Sequence, residues 1–210
     1  MTSQESPRVA RRKERTLAAL IAAAQVLLVE QGPFVSVQAI TDRADVATGS
    51  FYNYFADKPE LFAAAYRAAS ELFVTDLVAC TEDVEDPATR LCMRIRLTAR
   101  SPRTHPVVAA LAITADMERT APLVNPVGAK ADIDATLESR DLTHPDPTAL
   151  LLLVSGAAMN LVSQGVIHGP VDDARIDAVA EAAMLAMGLD AAEAHEMSHR
   201  PLPAITPARS

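Results

Sequence analysis

The sequence predicts an all-α protein, a small N-terminal head on a larger helical body, and three observations carry that prediction. Half of the 210 residues are hydrophobic, yet only five Phe, three Tyr and no Trp are among them, so the core is built from Leu, Val, Ala, Ile and Met. Ala-rich composition of this kind favours helix over strand. Apolar residues also recur at helical spacing in the long proline-free stretches. Finally, Pro87, Pro102, Pro106, Pro122, Pro126, Pro145, Pro147 and Pro170 divide the second half of the chain into helix-length pieces, as residues tolerated in first turns and loops but not in helix interiors. No segment reads as a strand and no internal repeat is present.

Taken in order, residues 1–7 are polar and expected to be flexible. Residues 8–31 read as one helix, with Leu17, Leu20, Ile21, Ala24, Leu27 and Leu28 on a single stripe and Gly32-Pro33 as its stop. From Ser36 the pattern shortens. Val37, Ile40 and Ala44 make one apolar face, Asp45-Val46-Ala47 break the period, and Thr48 is placed to cap a second short helix whose Phe51 and Phe55 point inward. Phe34 is expected to plug the same core. Asp57, Pro59 and Glu60 form a D-x-x-E capping box that opens a helix over 58–80. At ~30 Å that helix is long enough to belong to both head and body. Further helices are expected over 87–100, 106–118, 123–140, 147–168 and 173–188, and the tail 201–210 is expected to be unstructured. The implied division is a head at 8–57, a body at 58–200, and flexible tails at 1–7 and 201–210.

The formal charge of −8 argues at first against a nucleic-acid partner. Residues 1–60, however, hold seven Lys/Arg against seven Asp/Glu, so the whole excess falls in 61–210. Arg8, Arg11, Arg12, Lys13 and Arg15 form a basic cluster interrupted only by Glu14, a charge pattern that suits one DNA site without general adhesion. Cys80 and Cys92 lack metal or redox spacing and read as reduced core thiols of a cytoplasmic protein. The most apolar run, Ala149 to Met159, is interrupted by Asn160, Ser163 and Gln164, shorter than the ~20 residues of a membrane span, and reads as a buried helix.

Two short helices joined by a tight turn form a helix-turn-helix, and the second leaves Ser50, Tyr52, Asn53 and Tyr54 facing outward. Hydroxyls, an amide and phenol rings are groups that hydrogen-bond phosphates and base edges in a major groove. Residues 44–61, A-D-V-A-T-G-S-F-Y-N-Y-F-A-D-K-P-E-L, resemble the DNA-binding signature of the TetR family of bacterial one-component transcriptional regulators. Asp45 departs from it, standing at the turn position where the family usually has Gly. The resemblance implies that Tyr52 and Tyr54 hold phosphates, that Ser50 and Asn53 face bases, and that Thr48 and Gly49 lie against the DNA. Lys58 is then a phosphate contact, Ser36 and Gln38 are weaker backbone contacts, and Arg11 and Arg12 reach a neighbouring groove or phosphates.

The same resemblance implies a homodimer on a double-stranded DNA operator, paired through 147–168 and 173–188, and a body that binds a small, apolar effector. Met93, Met117 and Met159 are candidate cavity linings, and Arg96, His105, Asp116, Asn160 and Gln164 candidate polar anchors. Two other readings stay open. One is a constitutive DNA binder with no effector. The other is a zinc hydrolase, because His195-Glu196-Met197-Ser198-His199 matches H-E-x-x-H. A catalytic zinc needs a third protein ligand, and none follows His199 in a stretch expected to be frayed. No catalytic residue, metal, cofactor or membrane partner is therefore expected.

Overall fold

An Asp at the last non-helical position, with Pro in the first turn, starts three of the helices. Asp57, Asp86 and Asp146 each accept backbone amides ahead of Pro59, Pro87 and Pro147. Asp satisfies amides that have no partner inside the helix, and Pro removes one that would otherwise need one. The structure, a computed structural model, describes residues 7–32, 34–114, 128–144 and 146–205. The helices are α1 (Pro7–Gln31), α2 (Val37–Arg43), α3 (Thr48–Phe51), α4 (Lys58–Ala79), α5 (Pro87–Ala99), α6 (Ser101–Thr104), α7 (Pro106–Thr114), α8 (Ala129–Ser139), α9 (Pro147–His168), α10 (Asp173–Ala186) and α11 (Ala191–His199). Among the described residues there is no strand.

The head core gathers Leu20, Ala24, Leu27 and Leu28 of α1 around Ile40, Phe51 and Phe55, all buried. It continues without a break into α4 through Leu61, Phe62, Ala65, Tyr66, Ala69, Phe73 and Leu77, and on to Val108 and Leu111 of α7. Leu17, expected on this stripe, stands at its exposed end. Phe34 corrects the expectation more sharply: it is 92% exposed, while Val35 is the buried residue. The chain reverses at Gly32, whose φ of 75° is left-handed, and that reversal turns Phe34 outward and Val35 inward.

In the body, α5 is the central element, packed against α8, α9, α10 and α11. Its Arg96 is buried, and Nε donates to Asp177 Oδ1 of α10 at 2.8 Å while Nη1 donates to the Arg200 carbonyl at 2.7 Å. Arg100 adds a 3.1 Å bond to the same Asp177 oxygen. Burial alone would raise the Asp177 pKa, but these two guanidinium groups hold it below the ordinary carboxylate range. Cys92 is buried, and desolvation pushes its thiol up to about 11 against the opposing charge of Arg96, which leaves it unreactive.

At the other end of α5, Arg140 Nη1 donates to Asp86 Oδ1 at 2.9 Å and Nη2 to Glu193 Oε1 at 2.7 Å, stapling α8 to α5 and α11. Burial works against ionisation of Asp86, yet bonds from Arg140 and Thr89 pull its pKa from 3.8 down to about 2. A carboxylate depressed on folding contributes stability that is complete above its unfolded pKa and lost as pH falls toward its folded one. Urea midpoints are therefore expected to fall between about pH 4 and pH 2, with Asp86→Asn giving a flatter profile in that window.

Two parts of the C-terminal region differ from expectation. Residues 191–199 are a helix with Ala194 and Met197 in the body core, not a frayed end. Asp190 caps it by accepting from the backbone amides of Ala192 and Glu193, while the Glu193 carboxylate goes to Arg140. Residues 201–205 are irregular, yet Leu202 and Ile205 pack against the apolar cluster shared by α4 and α7. Residues 206–210 lie outside the described residues.

Candidate DNA-reading face and ligand cavity

Asp45 carries the turn between α2 and α3 at φ 54°, the left-handed region that Asp tolerates better than most residues. Ser36 caps α2, its Oγ accepting from Ala39 N at 3.1 Å. Thr48 is not a cap. The N-cap of α3 is Ala47, and Thr48 Oγ1 donates instead to Gln38 Oε1 at 2.8 Å, with Thr41 Oγ1 3.3 Å away. Gln38 Nε2 in turn donates to Asp42. Thr48 and Gln38 thus brace the two helices against each other, which fixes the angle at which α3 is presented.

Phe51 is fully buried and its ring meets Tyr52 edge-on at 5.2 Å and Phe55 at 5.8 Å. With Phe51 anchored, Gly49, Tyr52 and Asn53 are exposed, Ser50 is partly exposed, and Tyr54 is half-buried against the head core. The exposed group forms one polar and aromatic face. Lys58 is not free in solvent beside it, because Nζ donates to the Val35 carbonyl at 3.1 Å and lies over the Phe62 ring. This bond ties the start of α4 to the loop before α2. Arg11 and Arg12 are exposed on the first turns of α1.

Below the head, α4, α5, α7 and α9 line a partly open cavity of about 110 Å³. Phe73, Leu77, Ile95, Val108, Val154 and Val162 belong to its apolar wall, and Tyr66, Ser70, Arg94, Thr98, Ser101 and Ser155 are its polar positions. Ser70 Oγ is buried without a hydrogen-bond partner among the described residues. Burial raises the Tyr66 pKa, and the approach of the Ser70 hydroxyl opposes this without meeting the geometry of a full hydrogen bond. Arg94 is held at the rim by Asp132 Oδ2 at 2.6 Å and by Thr81 Oγ1 at 3.1 Å. Gly128 precedes α8 at φ 68°, where a Cβ would stand 2.6 Å from Arg94 Nη1.

Of the residues singled out for an effector, Met159 lines this cavity. Met93 faces a shallow acidic depression beside Asp83 and Asp86 instead. Arg96 is committed to Asp177. His105 is buried with Nε2 at 3.1 Å from Asp76 and its ring against Phe73, bracing α4 from behind the cavity wall. Asn160 and Gln164 bond each other on the exposed side of α9. Asp116 and Met117 lie outside the described residues. Tyr66, Ser70 and Phe73, which line the cavity, have a signal in their spacing on one side of α4, but nothing local marks that side as facing a void.

A reading head joined by one continuous helix to the wall of a cavity in the body is the architecture of a ligand-responsive DNA-binding transcriptional regulator. The chain belongs to the TetR family: the family model for bacterial regulatory proteins of the tetR family matches residues 20–65, and that for the tetracyclin repressor-like C-terminal domain matches residues 86–200. It is accordingly a regulator and not an enzyme. No curated protein matches the chain. Among solved structures, RolR (NCgl1110) in complex with resorcinol is 28% identical with a TM-score of 0.75, covering 94% of this chain and 100% of that one. A regulator from Marinobacter aquaeolei VT8 is 19% identical with a TM-score of 0.61, covering 84% and 97%. FadR from Bacillus subtilis in complex with stearoyl-CoA is 15% identical with a TM-score of 0.62, covering 81% and 96%.

One helix among the described residues, α9, is long and apolar enough by length and composition to cross a membrane. Leu150, Val154, Ala158, Leu161, Val162 and Gly165 of α9 are instead buried within this chain. Gly165 is needed there, since a Cβ would come within 2.8 Å of Pro102.

Proposed function

We propose that the chain is a cytoplasmic, homodimeric repressor released from its operator by an apolar effector the size of a single aromatic ring. The cavity carries this reading. An apolar cavity of about 150 Å³ takes up benzene, so a cavity of about 110 Å³ with an open side is on the scale of a single ring. Its few hydroxyls, with Ser70 unpartnered, suit a ligand bearing one or two hydroxyl groups. The resorcinol held by RolR has that chemistry. On the outside of α9, Leu152, Leu153 and Ile167 are exposed, and Leu185 is exposed on α10, an apolar stripe that supports pairing with a second copy. Two heads then read half-sites about one helical turn, ~34 Å, apart.

Control works by a shift between two populations. The α4 wall of the cavity is continuous with the helix start that Lys58 fastens to the head, and α7, the opposite wall, packs on α1. A ligand preferring a wider cavity tilts both and changes the spacing of the heads. Only its difference in affinity for the two states does work. Calorimetry with resorcinol and a series of monocyclic phenols, beside an operator gel shift at fixed salt, tests the reading. Saturable binding that lowers operator affinity supports it. Intact operator binding with no phenol uptake makes the chain a constitutive binder. Tyr52→Ala and Asn53→Ala are expected to weaken operator binding by about 1–3 kcal/mol while leaving the folded state intact. Unchanged gel-shift midpoints in both would remove α3 as the reader.

A further inference from the structure

We propose that Glu181, His195 and His199 form a binding site for a zinc-class divalent cation that fastens α11 to α10. One ligand atom from each of the three residues lies within 4.8 Å of the other two. His195 Nδ1 stands 3.2 Å from Glu181 Oε2, and His199 Nδ1 stands 4.0 Å from the same oxygen. Donors sharing one ion at 2.0–2.2 Å stand roughly 3.3 Å apart in a tetrahedral site, so small rotations of exposed side chains bring all three into range. A plain ion pair would explain one imidazole beside Glu181. The second ring, four residues on along the same helix face, has its centroid 4.0 Å from the first, so both imidazoles stand within reach of one carboxylate.

The surroundings are those of a metal site. His199 Nδ1 also lies 2.9 Å from the His195 carbonyl oxygen and 3.0 Å from Ser198 Oγ, contacts that hold the ring beside Glu181. Ser198 is buried and its hydroxyl donates to Glu181 Oε2 at 3.4 Å, the same oxygen the two imidazoles approach, which helps to fix the carboxylate in place. The ligands are also preorganised, because α11 is capped by Asp190 and seated by Ala194 and Met197. Two imidazoles and one carboxylate suit zinc, cobalt or nickel better than calcium or magnesium.

The site is a clamp and not a hydrolytic centre. Glu196, which would be the base in H-E-x-x-H, is 73% exposed in its side chain and bonds Arg200 Nη2 at 3.0 Å, away from the cluster. Metal would bind only the folded chain and so raise its melting temperature with metal concentration. This proposal is independent of the effector reading.

The test uses the full-length chain without an affinity tag, treated with chelator and titrated with Zn²⁺ by calorimetry and with Co²⁺ by visible absorption. The expected result is one ion per chain, cobalt ligand-field bands of a low-coordinate nitrogen–oxygen site, and a metal-dependent rise in Tm. His199→Ala and Glu181→Gln should each weaken binding by about tenfold or more, with His168→Ala as a control that changes nothing. All three ligands are at least partly exposed, so these variants are expected to fold, which circular dichroism verifies. Binding only at millimolar metal, or binding unchanged by His195→Ala and His199→Ala, overturns the proposal.

Discussion

Replacing Phe51 by alanine is expected to lower the unfolding free energy by about 3–5 kcal/mol, the range for emptying a fully buried aromatic position. No part of the Phe51 side chain reaches solvent, and its neighbours Leu20 and Ile40 are equally enclosed. The hole cannot collapse easily. Phe51 belongs to a single helical turn whose exit is fixed by the bond from Phe55 N to the Phe51 carbonyl, and its far side by the Thr48–Gln38 brace. Loss of the ring therefore frees the reading face as well as weakening the core, and operator binding should fall by more than the change in folded fraction. Tyr52→Ala supplies the contrast. Its ring is 63% exposed, so stability should stay within about 0.5 kcal/mol. Urea denaturation and operator titration on the two variants separate a residue that builds the reader from one that reads. Equal stability losses would mean that the head core is organised differently.

That pair also marks where the sequence was readable. Phe51 and Phe55 are four apart with polar residues between them, and periodicity alone places them inside. The helix starts at Asp57, Asp86 and Asp146 follow equally from local chemistry, because capping needs only the residue and the amides just beyond it. Phe34 resisted such reasoning: a one-residue shift past a left-handed Gly32 decides which of Phe34 and Val35 turns inward. The α11 cap at Asp190 was legible in kind but lay in a stretch of low apolar content. Polar anchors were harder still. Arg96 and His105 are polar residues on buried faces, as a ligand anchor would be, but the carboxylates that occupy them are 81 and 29 positions away in sequence. Pattern can tell that a polar group is buried. It cannot tell whether protein or ligand satisfies it.

Asp132 presents the sharpest case of that distinction, and Asp132→Ala is expected to cost about 3–5 kcal/mol, the range for breaking a buried charge cluster by removing one partner. Its side chain is 4% exposed and receives Arg90 Nε at 2.8 Å and Arg94 Nη1 at 2.6 Å. Removing it leaves two guanidinium groups facing each other with no carboxylate between them. Arg90 keeps a bond to the Val84 carbonyl at 2.7 Å, which places the loss toward the lower end of the range. Arg94 is the consequential one, because it lines the cavity and its rim position depends on Asp132. With the 2.6 Å bond to Asp132 gone and the bond to Thr81 Oγ1 kept, its guanidinium can shift toward the cavity, where a desolvated cation competes with an apolar ring. Phenol binding should therefore weaken beyond what the loss of stability explains. Asp132→Asn retains the shape and one acceptor oxygen, so it should cost less stability and keep more of the binding. Urea midpoints and calorimetry on the two variants make the comparison. Full phenol affinity in a destabilised Asp132→Ala protein would show that Arg94 plays no part in shaping the cavity, leaving Ser70 and Tyr66 as its polar end.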